Sequence, residues 1–227
     1  MNSFLPQLAV FDLAGTTVLD EKYVHRVLQK TMAGHGVTIT IEEANAVMGI
    51  PKPIAMRQLL QDKGLEPKPA WINQMHLEFV ENMRHFYLTE PNVREIAGAS
   101  AVFRALHAAG TKVFVDTGFD RAITDPLLER MSWNGLVNGS VTSDEVAQGR
   151  PFADLILRAM ELAGVSEAAR VMKVGDTPSD LQEGKAAGCG WIIGITGNFT
   201  REALGREPHT HIIDRLDEIP KLLGLAH

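Results

Sequence analysis

Cysteine is nearly absent: Cys189 is the only one in 227 residues. No intrachain disulfide can form, and a cysteine-based zinc site is excluded. That usage fits a reducing compartment and sets the expectation of a cytoplasmic protein. Basic residues are in short supply, 22 Lys plus Arg against 28 Asp plus Glu, for a net charge of -6. A nucleic-acid binder usually carries a basic stripe, and none is visible, so no nucleic-acid partner is expected. A small anionic substrate stays compatible, because a local site can be positive on an acidic protein. Long apolar runs are missing as well: none approaches the roughly 20 residues that span a bilayer, so no membrane partner is expected. The stretch MNSFLPQLAVFDLAGTT has no basic leader, and Asp12 interrupts its apolar run, which makes it a poor signal peptide. Of eight histidines only His209-x-His211 forms a tight pair, a weak metal signal read as a surface loop and strand start. What remains is ordinary: 45% apolar and 22% charged residues, near the globular average, in a length that suits one large domain or a core plus an insertion.

Short runs rich in Val and Ile, bounded by turn residues, predict buried parallel strands at Leu8–Phe11, Lys112–Val115, Val171–Val174, Trp191–Ile195 and His211–Ile213, with a weaker one over Leu136–Val141. Helical spacing fills the gaps. One helix is predicted over Ala99–Ala109, closed by Gly110. Pro151 opens another that ends at Gly164, and Pro178 opens a third that ends at Gly188. Strand and helix in alternation predict an α/β fold, an open parallel Rossmann-like sheet covered by helices. Residues 20–88 break the rhythm. Tyr23–His35, Ile41–Met48, Pro53–Lys63 and Trp71–Tyr87 all read as helices, with no strand among them. We therefore expect a core of residues 1–19 and 89–227, with a small all-helical insertion at 20–88 after strand one and the sheet resuming near Val93. The apolar helix Trp71–Tyr87 is open to two readings, a homodimer face or core packing.

Ligands of open parallel sheets bind at the carboxyl ends of the strands, and four groups of residues fall there. Asp12-Leu13-Ala14-Gly15-Thr16-Thr17 follows strand one. Its carboxylate can serve as nucleophile or metal ligand, and the small residues behind it let backbone N–H groups approach an anion. Thr117-Gly118 offers a hydroxyl and an N–H to a phosphoryl oxygen. Arg150, just before Pro151, has the fork geometry that matches phosphate oxygens. Gly175-Asp176-Thr177-Pro178-Ser179-Asp180 supplies two carboxylates for a hard divalent cation. Taken singly, each has a plainer explanation: an Asp ending a strand is often a turn or cap residue, Arg150 a solvated charge, and Asp180 a first-turn acid. Their order along one sheet edge is what raises them above it.

In these residues the chain resembles the haloacid-dehalogenase-like phosphohydrolase superfamily over nearly its whole length. Gly-Asp-Thr-x-x-Asp followed by Gly184-Lys185-Ala186-Ala187-Gly188 is the most diagnostic element, and the insertion resembles that family's mobile cap. The resemblance implies Asp12 as the nucleophile that becomes an aspartyl phosphate. It implies Mg²⁺ held by Asp12, the Ala14 carbonyl and Asp176, with Asp180 ligating or orienting through water. It implies Thr117, the Gly118 N–H and Arg150 on the transferred phosphoryl group. Most members carry a second Asp two residues after the nucleophile, and here that position is Ala14. The usual Lys of the third motif is Arg150. Asp-x-Ala-Gly-Thr with Arg is similar to the phosphonatase (phosphonoacetaldehyde hydrolase) group. So is Met48-Gly49-Ile50-Pro51-Lys52, where that group places a Lys that forms a Schiff base with its substrate aldehyde.

The exchange makes chemical sense. A phosphate ester leaves as an alkoxide and benefits from an acid beside the leaving oxygen. A phosphonate would leave as a carbanion, and an iminium on Lys52 turns that carbanion into an enamine, so an acid at position 14 has less to do. Lys52 must be partly neutral to attack, which desolvation under a closed cap supplies. The sequence departs from that group at Ala55, where it has His, at Phe119, where it has Tyr, and at Leu19, where an acidic residue is usual and Asp20 comes one later. Three readings follow: a phosphonatase-like hydrolase, a phosphatase acting on a small phosphomonoester, and a phosphate-binding regulator without turnover. Lys52 and Arg150 favour the first, Ala55 and Phe119 the second. The intact Asp12, Asp176 and Asp180 count against the third.

Overall fold

The computed structural model describes residues 5–133 and 135–225. Its centre is a sheet whose six strands, β1 (Leu8–Asp12), β2 (Lys112–Thr117), β3 (Gly139–Thr142), β4 (Val171–Gly175), β5 (Trp191–Ile195) and β6 (His211–Ile213), pair in parallel in the order β3-β2-β1-β4-β5-β6. Every residue of β1 is buried. Alternation along the strands sorts side chains to two faces. Ala9, Phe11, Val113, Val115, Met172, Val174 and Ile193 belong to one apolar cluster, and Leu8, Val10, Phe114, Val171 and Ile192 to the other. This period of two explains why runs apolar at every position are predicted as strands buried on both sides.

Helices α1 (Tyr23–Gly34), α2 (Ile41–Ala46), α3 (Lys52–Asp62) and α4 (Pro69–Thr89) lie between β1 and the return to the sheet through α5 (Ala99–Ala108). Then follow α6 (Arg121–Met131), α7 (Asp154–Ala163), α8 (Pro178–Ala187), and the short α9 (Arg201–Leu204) and α10 (Glu218–Leu222). The insertion helices are well punctuated. A capping box of Thr40 and Glu43 starts α2, and prolines sit in the first turns of α3 and α4. Their apolar side chains Leu28, Met32, Met56, Phe79 and Tyr87 join the same cluster as Phe11 and Val115 of the sheet. No apolar boundary separates insertion from core on that side.

Several expectations need adjusting. The sheet resumes at Lys112 rather than near Val93, since α5 comes first, although Glu95 makes an isolated antiparallel bridge to Val18. The strand expected over Leu136–Val141 is Gly139–Thr142. Gly139 pairs with Phe114, and a Cβ there would come 2.5 Å from the Phe114 ring, so the register is set by the one residue without a side chain. The helix expected from Pro151 begins at Asp154. Helix α6 went unpredicted because Pro126 stands inside it and much of its surface is polar. Among the described residues no helix is long and apolar enough to cross a membrane.

Candidate active site

With this strand order the chain leaves β1 toward β2 on one side and reaches β4 on the other, so the crevice at the carboxyl ends of β1 and β4 is the topological switch point. Asp12 ends β1, and Asp176 follows β4. After Asp12 the chain curls tightly: Thr17 and Val18 donate their N–H groups to Leu13 O at 2.9 and 2.7 Å, and Gly15 donates to Val18 O at 2.8 Å. The curl sets Gly15 against Asp176. Gly15 has φ +95°, and a Cβ would stand 2.5 Å from Asp176 Oδ2 and 2.8 Å from Asn198 Nδ2. Only glycine permits both the dihedral and the approach.

Asp176 is fully buried and accepts hydrogen bonds from Thr16 Oγ1 at 3.0 Å and Asn198 Nδ2 at 3.1 Å. Burial, then the carboxylates of Asp12 and Asp180, hold its carboxyl well above the usual range. Burial likewise raises Asp12 to about 6, against the pull of Arg150. Arg150 lies behind them, 2% exposed. Its Nη1 donates to Asp12 Oδ1 at 2.6 Å and stands 3.0 Å from Asp180 Oδ1, its Nη2 donates to Asp116 O at 3.1 Å and to Asp116 Oδ1, and its Nε donates to Glu183 Oε2 at 3.0 Å.

Lys173 completes this network from β4. Its Nζ reaches Asp116 Oδ2 at 2.6 Å, Glu183 Oε2 at 2.9 Å and Asp180 Oδ1 at 3.1 Å. Burial and Arg150 would lower its pKa, but Asp116, Glu183 and Asp180 outweigh them and hold it above the usual lysine value. The sequence reading missed Asp116, Lys173 and Glu183. The available signal was a lysine inside the apolar strand Val-Met-Lys-Val-Gly, a position that demands buried counter-charges. Carboxylate oxygens of Asp12, Asp116 and Asp180 lie within 4.8 Å of one another, a grouping that could hold a metal ion. Removing Lys173 leaves Asp116 with Arg150 as its one cationic partner among the described residues. Lys173→Met is therefore expected to cost about 3–5 kcal/mol of stability, the scale for breaking a buried pair from one side, read as a lowered urea midpoint.

Asp180 has a further task. It takes Thr177 N at 3.1 Å and Thr177 Oγ1 at 2.5 Å, and forms with Thr177 the capping box of α8. It stands behind Thr177 rather than on the cavity wall.

Lys52 begins α3 and is 4% exposed. Its Nζ donates to Ile50 O at 3.5 Å and lies 5.9 Å from the ring centroids of both Phe79 and Phe119. Burial among apolar groups lowers its pKa to about 8, although Asp12 and Asp20 oppose the shift. The loop before it is pressed onto the sheet edge. A Cβ on Gly118 would meet Ile50 O at 3.2 Å, a Cβ on Gly149 would run into Pro51, and one on Gly49, at φ +82°, would overlap Ser179 Oγ and Thr177 Oγ1. Gly49→Ala should thus push residues 48–51 off the sheet edge. We expect at least about a tenfold fall in turnover with the circular dichroism spectrum retained, since an ångström of misplacement can cost 10²-fold.

Of the residues singled out by sequence, Asp12, Ala14, Met48, Lys52, Thr117, Gly118, Arg150 and Asp176 line one cavity. Gly15 and Asp180 do not line it. Asp20, His25, Phe119, Thr177 and Asn198 do, and sequence reasoning had given none of them a role. His209, whose Nδ1 lies 2.8 Å from Glu207 O, belongs to no metal-capable grouping among the described residues.

A parallel α/β sheet with a buried carboxylate at its switch point, paired with an arginine and sharing a cavity with a lysine, gathers groups that suit a hydrolase. The chain belongs to the family described as haloacid dehalogenase-like hydrolase, whose profile matches residues 9–193. Phosphonoacetaldehyde hydrolase of Bacillus cereus (strain B4264) is 33% identical over 202 residues, covering 83% of this chain and 75% of that protein. The enzyme of the same name from Bordetella avium (strain 197N) is 28% identical over 255 residues, covering 96% and 90%. Among solved structures, a phosphonoacetaldehyde hydrolase-like protein from Oleispira antarctica superposes with a TM-score of 0.87 at 22% identity, covering 98% of this chain and 92% of that one. A putative phosphoglycolate phosphatase from Lactobacillus delbrueckii subsp. bulgaricus gives 0.80 at 16%, covering 99% and 100%. The two structures share the fold.

Proposed function

We propose that this chain is an Mg²⁺-dependent phosphonatase-like hydrolase that cleaves the P–C bond of phosphonoacetaldehyde or a close analogue. The observation that carries the reading is a buried amine, Lys52, with its pKa lowered to about 8, on the wall of the cavity that Asp12 also lines. A phosphatase needs no such amine, whereas cleaving carbon from phosphorus needs somewhere for an electron pair to go.

In this reading the neutral Lys52 amine condenses with the aldehyde to an iminium. Asp12 attacks phosphorus, and the P–C bonding pair moves into the iminium to give an enamine. Water then hydrolyses the aspartyl phosphate. The enamine takes a proton on carbon, and hydrolysis of the resulting imine frees acetaldehyde and Lys52. The Thr117 hydroxyl, the Gly118 N–H and Arg150 orient the phosphoryl group, and Met48 packs beside the aldehyde. Asp176 and Asp12 fit a divalent cation: both are buried, and the Asp12 carboxylate helps to hold the Asp176 carboxyl above its usual range, a repulsion that a cation relieves. They would hold Mg²⁺ with the Ala14 carbonyl, while Asp180, engaged by Thr177, Arg150 and Lys173, orients the site from behind. Bound there, the ion would neutralise charge on the phosphoryl oxygens.

Residues 20–88 serve in this proposal as a cap, with linkers near Val18–Asp20 and Leu88–Pro91 as its hinges. Gating of this kind takes place in microseconds to milliseconds. The test is direct. Purified protein with Mg²⁺ is offered phosphonoacetaldehyde or p-nitrophenyl phosphate, with phosphate and acetaldehyde measured separately. Equimolar phosphate and acetaldehyde support P–C cleavage. Turnover of the ester alone makes the protein a phosphomonoesterase.

A further inference from the structure

We propose that His25 is a catalytic residue of this site, with Nδ1 as the atom that moves protons during imine formation on Lys52. The proposal rests on the P–C reading above. His25 sits on α1, fully buried, and lines the same cavity as Lys52 and Asp12. Its Nε2 is 3.0 Å from Asn45 Oδ1, an oxygen that also accepts from the Lys22 ammonium at 3.2 Å. An oxygen taking a hydrogen bond from an ammonium is an acceptor, so Nε2 carries the ring hydrogen and Nδ1 presents a lone pair. Nδ1 has no hydrogen-bond partner among the described residues. Asp20 Oδ2 lies 3.8 Å away, too far for a hydrogen bond. A histidine kept only for structure normally satisfies both nitrogens once buried; here one is tied down and the other has no hydrogen bond, in a ring that lines the cavity.

The surrounding charges suit a base. Burial lowers the imidazole pKa and keeps it neutral; the Asn45 hydrogen bond and Asp20 oppose this, and Lys22 and Lys52 add to it. When Nδ1 takes up a proton, Asp20 stands ready as counter-charge. Asp20 is itself fixed, its Oδ1 accepting from Tyr23 N at 2.7 Å and Val24 N at 3.2 Å at the start of α1.

The proton balance is as follows. The Lys52 nitrogen adds to the aldehyde carbon, the N–C bond forms, and the carbonyl π pair goes to oxygen. Nδ1 takes one proton from nitrogen and passes it to that oxygen, giving a neutral carbinolamine. A second proton, taken from solvent and again carried on Nδ1, goes to the hydroxyl. The C–O bond then breaks with its electron pair, water leaves, and the nitrogen lone pair closes the iminium.

The experiment is borohydride trapping of Lys52 by phosphonoacetaldehyde, timed by peptide mass spectrometry across a pH series, for wild type, His25→Ala and His25→Gln. General acid–base partners contribute about 10²–10⁴-fold. We expect both variants to trap at least about 100-fold more slowly with circular dichroism unchanged. Added imidazole should restore His25→Ala, where it fits the space left behind, and leave His25→Gln slow. Should His25→Ala fail to fold, His25→Ser, which leaves nearly the same space, takes its place in the imidazole titration. Trapping at the wild-type rate in any folded variant overturns the proposal, and so does slow trapping of the Ala or Ser variant that no exogenous base accelerates. No adduct in wild type fails the P–C reading itself, which is a separate and recognisable result.

Discussion

Asp12→Asn is expected to abolish phosphate release from any substrate of this site, by about 10⁶-fold or as far as the assay reaches, the scale on which removing one member of a covalent catalytic unit acts. The amide is nearly isosteric but cannot supply the attacking oxygen. It also removes the negative charge that Arg150 Nη1 meets at 2.6 Å. Arg150 retains Asp116, Asp180 and Glu183 around it, so the fold should survive. Asp12 is itself raised to about 6 by burial, so losing that charge releases part of a desolvation cost. The measurement is phosphate release alongside circular dichroism and a thermal midpoint. Full activity in a folded mutant would remove Asp12 from the chemistry.

The second large effect belongs to Lys52. Lys52→Arg keeps a cation of similar reach but offers no nucleophilic amine, because guanidinium stays protonated. Phosphonoacetaldehyde cleavage should fall by about 10⁴-fold or more, and borohydride should leave no adduct on residue 52. The wild-type pH dependence follows from the lowered pKa. Below about 8 the ammonium dominates and cannot attack; above it the free amine does. The early trapping rate should therefore rise about tenfold per unit at acid pH and level off above about 8. A trapping rate independent of pH from 6 to 10, or equal rates in wild type and Lys52→Arg, would sink the Schiff-base role.

Sequence pattern was informative where a single element carries its own signature. Trp191–Ile195 is the strand expected, because a run buried at every position has nowhere to go except between two helical layers, and His211–Ile213 is found as expected beside it, half-buried at the edge of the sheet. Pro178 and Gly188 bracket α8, with Gly188 at φ +77° closing it. Asp12 and Asp176 are legible because one ends a strand and the other directly follows one. What pattern could not give is partnership across the chain. Arg150 reads as a phosphate-binding side chain, yet in the fold its three nitrogens are engaged by Asp12, Asp116 and Glu183, residues 33 to 138 positions away. Lys173 looks like an interruption of a strand until Glu183 and Asp116 are beside it. His25 has no motif at all; a histidine on a helix face is unremarkable until the fold leaves one of its nitrogens bare.

The seamless apolar packing between the insertion and the sheet bears on how substrate gets in. Tyr87 meets Phe119 edge-on at 6.0 Å, and Met56 and Phe79 share one cluster with Phe11. Parting these surfaces is thus a small, local step toward unfolding. Each 100 Å² of apolar surface wetted costs about 2.5 kcal/mol, so the open form that the proposed cap movement requires would be a minor species at rest. Admission would then be rationed by how often the protein briefly gives up part of its interior, and mutations that harden the packing of α4 would slow traffic even as they raise the melting temperature.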